Sequence, residues 1–153
     1  MTDVSVTTMN KRQTLHILLV EDDPGDVLLV QEVLGEYGYG AHLTIVGDGA
    51  EALSYLHREG PYSDAVRPDL ILLDLNLPKV SGREVLAQIK NDPALLVVPV
   101  IVLTTSSAEE DVLRAYSHRA NAYVTKPMDF VQFTAAVSKV GTFFGRTVRL
   151  PLN

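Results

Sequence analysis

The chain has 153 residues, with 13 Lys+Arg against 19 Asp+Glu and a formal net charge of −6. That length is one domain's worth and enough to bury a core, while the acidic balance leaves no basic footprint for a nucleic acid or an anionic membrane. The absence of cysteine excludes disulfide scaffolds, thiolate zinc sites and cysteine nucleophiles.

Residues 1–14 are polar and aperiodic and read as a flexible N-terminal tail. They lack the basic-then-apolar pattern of an export signal. Short apolar runs then alternate with longer segments of helical period. The runs are Leu15–Val20, Leu43–Val46, Leu70–Leu73, Val98–Leu103 and Ala122–Val124. Several are nearly continuous, as suits strands covered on both faces, and all are too short to span a bilayer. Pro24 opens a first helix with Val27, Val30, Val33, Leu34 and Tyr37 on its apolar stripe, stopped by Gly38 and Gly40; Asp23 is placed to cap it. Asp48 caps a second, carrying Ala50, Leu53, Tyr55 and Leu56. A polar surface loop is expected over Arg58–Pro68. Glu84, Val85, Leu86 and Ile89 mark a third helix that ends before Pro93. Ser107 and Glu110 form a capping box for a fourth. Asp129 caps a fifth, with Phe133, Val137, Val140 and Phe144 on one stripe. Strand–helix alternation five times over predicts an α/β domain over residues 15–145, a parallel sheet with helices on both faces, followed by a C-terminal tail over residues 146–153.

Ligands of open parallel sheets sit beyond the carboxyl ends of the strands. Past the first run stand Glu21, Asp22 and Asp23; past the third, Asp74; past the fourth, Thr104, Thr105, Ser106 and Ser107; past the fifth, Thr125, Lys126 and Pro127. Each alone reads as a loop residue or a helix cap. Together they bring carboxylates, hydroxyls and an ammonium to one edge. Clustered carboxylates repel by roughly 4 kcal/mol per pair at about 4 Å in an intermediate dielectric, so such a site protonates or holds a cation. An oxygen-only donor set suits Mg²⁺ or Mn²⁺. A cation with open positions grips a phosphoryl oxygen, Lys126 and Thr104 hold others, and a carboxylate beside the metal is a competent nucleophile. The chemistry read from these residues is phosphoryl transfer to an aspartate.

The residues that carry this chemistry resemble those of the bacterial response-regulator receiver domain, of the chemotaxis-regulator type. The motifs are Leu-Leu-Val-Glu21-Asp22-Asp23, Leu-Leu-Asp74-Leu-Asn76-Leu-Pro78, Gly82, Val-Leu-Thr104-Thr105, Tyr123 and Thr125-Lys126-Pro127, and the resemblance covers about residues 14 to 144. It implies a flavodoxin-like, doubly wound five-stranded parallel sheet with strand order 2-1-3-4-5. It implies that Asp74 accepts the phosphoryl group, and that Mg²⁺, or Mn²⁺, is held by Glu21, Asp22, Asp74 and the backbone carbonyl of Asn76. Thr104 then bonds the phosphoryl group, Lys126 pairs with it, Lys126-Pro127 is a cis peptide, and Thr104 with Tyr123 forms the switch. The face of the fourth helix, fifth strand and fifth helix changes shape, while Asn76 and Ser106 tune hydrolysis. The protein is then no general enzyme: it catalyses its own phosphoryl transfer and autodephosphorylation. Implied partners are a sensor histidine kinase and a downstream or phosphotransfer protein in the cytoplasm. The longer loop before Pro68 and the stretch Thr142–Pro151 are similar to stand-alone regulators of bacterial phytochrome kinases. Phe143, Phe144, Val148 and Leu150 are open to two uses, packing on their own domain or forming a homodimer seam.

Competing readings fit less well. A haloacid-dehalogenase-like phosphatase also uses an aspartyl phosphate, but places its nucleophile after the first strand with a second Asp two residues on; here the candidate follows the third run and position 76 is Asn. A flavodoxin-like FMN binder needs a Ser/Thr-Gly phosphate loop where Glu21-Asp22-Asp23 stands. A degenerate receiver used for contacts alone would not need the complete acidic, Thr and Lys set.

Overall fold

The five apolar runs form five strands: β1 (His16–Val20), β2 (His42–Val46), β3 (Leu70–Asp74), β4 (Val100–Thr104) and β5 (Ala122–Thr125). The computed structural model describes residues 15–37, 42–104, 120, 122–126 and 129–144, with the side chains of 104, 123 and 138–144 set aside. All neighbouring strands are parallel, in the order β2-β1-β3-β4-β5, which is the expected doubly wound topology. β4 starts two residues later than its apolar run. The Val98 N–H is turned into a bond to the Leu95 carbonyl at 2.9 Å, and Pro99 has no N–H to give to a ladder.

Three of the described helices begin where a side chain accepts from a first-turn N–H, and the other begins at a proline. α1 (Pro24–Tyr37) starts at the proline, and the Val27 N–H donates to the Asp23 carbonyl at 3.0 Å. In α2 (Gly49–Leu56) the Glu51 N–H donates to Asp48 Oδ1 at 2.7 Å. In α3 (Gly82–Lys90) the Glu84 N–H donates to Ser81 Oγ at 3.2 Å. In α4 (Phe130–Phe144) the Gln132 N–H donates to Asp129 Oδ1 at 2.8 Å. The helix expected from Ser107, the stops at Gly38 and Gly40, and both tails lie outside the described residues. α4 is therefore the fifth helix of the sequence reading.

Strand side chains alternate between faces, and among the described residues two helices pack on each face. Ile17, Leu19, Leu70, Leu72, Ile101, Leu103 and Val124 meet Val30, Val33 and Leu34 of α1 and Phe133 and Val137 of α4. Leu18, Val20, Ile71, Leu73, Val100 and Val102 meet Ala52, Tyr55 and Leu56 of α2 and Val85, Leu86 and Ile89 of α3. Every residue of β3 is buried, the pattern of a central strand covered on both faces. The loop expected over Arg58–Pro68 is mostly exposed and holds one 3-10 turn, Gly60–Tyr62. It is pinned to α2 by the Tyr55 hydroxyl, which donates to the Val66 carbonyl at 3.1 Å, and by the Tyr62 hydroxyl, which donates to Glu51.

Candidate functional site

Register fixes the site before any side chain is considered. Val20 pairs with Leu73, so Glu21 leaves β1 at the level where Asp74 ends β3. Asp74 pairs with Leu103, and the following Thr104 pairs with Thr125, the residue before Lys126. The carboxyl ends of β1, β3, β4 and β5 thus deliver Glu21, Asp74, Thr104 and Lys126 to one rim.

At that rim Glu21 and Asp74 are the buried acidic side chains among the described residues, while Asp22 beside them is exposed. Carboxylate oxygens of Glu21, Asp22 and Asp74 lie within 4.8 Å of one another. The Lys126 ammonium sits against this group, its Nζ at 2.6 Å from Glu21 Oε1, 2.8 Å from Asp26 Oδ2 and 3.3 Å from Asp74 Oδ2. Backbone groups take the second oxygens of Glu21 and Asp74. The Asp23 N–H donates to Glu21 Oε2 at 3.2 Å, and the Asn76 N–H donates to Asp74 Oδ1 at 3.1 Å.

The charges do not balance, and the protonation equilibria show it. Burial, together with the charge of Asp74, pushes the Glu21 carboxyl up from 4.5 to about 7, against the opposing pull of Lys126. Burial alone would lower the Lys126 ammonium, but hydrogen bonds to Asp26 and Glu21 and the charge of Asp74 outweigh it and hold Lys126 above its ordinary value. One ammonium leaves negative charge in excess. Three oxygen donors within reach of each other, short of positive charge, fit a hard divalent cation.

Two glycines hold the loop after β3 against its neighbours. A Cβ on Gly82 would stand 2.2 Å from the Asp74 carbonyl oxygen, and one on Gly49 would stand 1.9 Å from the Val80 carbonyl oxygen. The Gly82 N–H donates to the Leu75 carbonyl at 3.0 Å, and Lys79 Nζ reaches Asp48 Oδ2 at 3.5 Å. Lys79 itself has φ 68°, a left-handed turn residue between Pro78 and Val80.

Of the residues singled out from sequence, Glu21, Asp22, Asp74 and Lys126 converge as side chains. Thr104 and Tyr123 are in β4 and β5, with the Thr104 backbone at the same rim; their side chains lie outside the described set. Thr105, Ser106, Ser107 and the Lys126-Pro127 peptide also lie outside it. Asp26 and Gly49 were not foreseen. An acidic residue one helical turn beyond Asp22, in the first turn of α1, was the available signal for Asp26.

Residues 17–138 match the model of the response regulator receiver domain. The chain belongs to the response-regulator receiver family. This receiver is 47% identical over 135 residues to response regulator Rcp1 of Synechocystis sp., covering 88% of this chain and 92% of that protein. It is similar in structure to the phosphorylated cyanobacterial phytochrome response regulator RcpA, with TM-score 0.76 and 45% identity, over 90% of this chain and 99% of that one. The Mn(2+)-bound form of Rcp1 gives TM-score 0.74 at 46% identity, with the same coverage. The bacteriophytochrome response regulator RtBRR gives 0.77 at 44%, over 84% of this chain and 79% of that one. Receivers of this family are signalling proteins of the phosphorelay, not catalysts in the usual sense. Among the described residues, no helix is long and apolar enough to cross a membrane.

Proposed function

We propose that Asp74 is the phosphoacceptor of a phosphorelay in which a sensor histidine kinase, of bacteriophytochrome type, is the donor. The observation that carries this is the contact of the Lys126 ammonium with Asp74 Oδ2 at 3.3 Å beside the Glu21–Asp22–Asp74 oxygen group. An ammonium and a buried acid at the open end of a parallel sheet supply a cationic partner for a phosphoryl oxygen and a nucleophile in one place.

In the proposed transfer, an Asp74 oxygen attacks the phosphorus of a phosphohistidine in line with the P–N bond. The new O–P bond forms as the P–N bond breaks, and its electron pair returns to the imidazole. The Asn76 N–H fixes Asp74 Oδ1, which leaves the other oxygen facing Lys126. Lys126 then pairs with the arriving phosphoryl oxygens, and Thr104 donates its hydroxyl to them. Glu21, Asp22, Asp74 and the Asn76 carbonyl would hold Mg²⁺, or Mn²⁺, which when bound supplies positive charge to the phosphoryl oxygens. Water later cleaves the acyl phosphate and resets the protein, so its catalysis is limited to its own phosphorylation and dephosphorylation.

The added group carries about −1.5 to −2 charge if it behaves like other phosphorylated side chains. Thr104 and Tyr123 respond, and the face between β5 and its flanking helices shifts population toward the form read by a partner or phosphotransfer protein. The setting is the cytoplasm, the domain spans residues 15–145, and Phe143, Phe144, Val148 and Leu150 either pack on that domain or form a homodimer seam. Wild type incubated with radiolabelled acetyl phosphate and Mg²⁺ is expected to take up label that Asp74→Asn does not. Equal labelling of the two would refute the assignment.

A further inference from the structure

The Lys126 ammonium has three N–H donors, and three carboxylates surround it. Two of them, Glu21 and Asp74, belong to the oxygen group that fits a divalent cation; the third, Asp26, does not. Asp26 comes from the first turn of α1, is partly exposed, and stands 2.8 Å from Nζ. Without its charge, Lys126 has only Glu21 and Asp74 as described anionic partners and settles wholly on them. Its charge is then spent on the same oxygens that a divalent cation needs. Two like charges about 4 Å apart at an effective dielectric of 20 repel by about 4 kcal/mol, so the place where the ammonium rests decides how well a cation binds beside it.

We propose that Asp26 is a positioning residue that holds Lys126 back from Asp74 and thereby keeps that carboxylate available to the divalent cation. The proposal rests on the reading above that Glu21, Asp22 and Asp74 hold such a cation. The plain alternative is that Asp26 is a favourable acidic residue at a helix start, acting on stability alone.

A double-mutant cycle separates them. Mn²⁺ dissociation constants are measured by calorimetry for wild type, Asp26→Asn, Lys126→Met and the double variant, at one pH and ionic strength, alongside thermal melts. Asp26→Asn is expected to weaken Mn²⁺ binding about fivefold to tenfold when Lys126 is present, and by less than about twofold in the Lys126→Met background. Asp26→Glu, which keeps the charge, is expected within about twofold of wild type. Asp26→Ser replaces Asp26→Asn should the latter not fold. An equal change in both backgrounds, or none with Lys126 present, overturns the positioning role while leaving the metal reading intact. Wild type that binds no Mn²⁺ overturns that reading and this proposal with it.

Discussion

Gly82 lies so close to the end of β3 that a Cβ on it would stand 2.2 Å from the Asp74 carbonyl oxygen and 2.5 Å from the Leu75 Cα. The first turn of α3 therefore rests directly on the backbone that carries the acid. Gly82→Ala must push one of them away, and both are backbone, which yields little. We expect a loss of about 1–3 kcal/mol in denaturant unfolding, as for other overpacked sites, together with slower labelling by acetyl phosphate. Unchanged stability and labelling would mean that the loop absorbs the methyl group freely.

Removing a charge at Asp74 relieves crowding among carboxylates that share one ammonium. Without divalent cation, Asp74→Asn is expected to be more stable than wild type by about 1–2 kcal/mol, since repulsion lost exceeds the single long contact to Lys126. Adding Mg²⁺ should raise the melting temperature of wild type and leave that of the variant nearly unchanged. Parallel thermal melts of the two proteins check both statements.

Lys126 is the converse case. Its loss leaves Glu21 and Asp74 buried without their cation. Lys126→Met is expected to cost about 3 kcal/mol in the absence of metal, the range for breaking a buried ion pair from one side. Mg²⁺ should recover part of this. Lys126→Ala should still bind Mg²⁺ yet respond weakly to a phosphoryl mimic, read as amide chemical-shift changes.

The raised Glu21 carboxyl makes stability depend on pH in a stated direction. Between 4.5 and about 7 the native protein keeps a proton on Glu21 that the unfolded chain has already released. This contribution is fully present below about 4.5 and is lost as pH rises through about 7. Metal-free wild type should therefore lose stability from Glu21 between about pH 4.5 and pH 7, and Glu21→Gln should show a flatter profile over that range. Urea midpoints across the range decide it.

The fold was legible because its strands announce themselves. Leu70–Leu73 is an unbroken apolar run that ends at an acid, and it became the wholly buried β3. Asp48 and Asp129 were readable as caps because a short acceptor side chain before an apolar stripe has few other uses. The strand order was not written in periodicity; it came from the motif resemblance, and the parallel register then placed Glu21 level with Asp74. Asp26 escaped notice because a first-turn acid on a helix needs no partner to explain it, and its bond to Lys126 spans 100 positions of sequence. Gly49 escaped for a similar reason: its need for space comes from Val80, a residue of another loop.

β3 is hydrogen-bonded on both sides, to β1 and to β4, and none of its five residues reaches solvent appreciably. The acid at its tip thus stands on a strand paired along both edges and buried throughout. Backbone bonded along both edges and packed on both faces has no slack to give, so the Asp74 carboxyl stays where the sheet sets it.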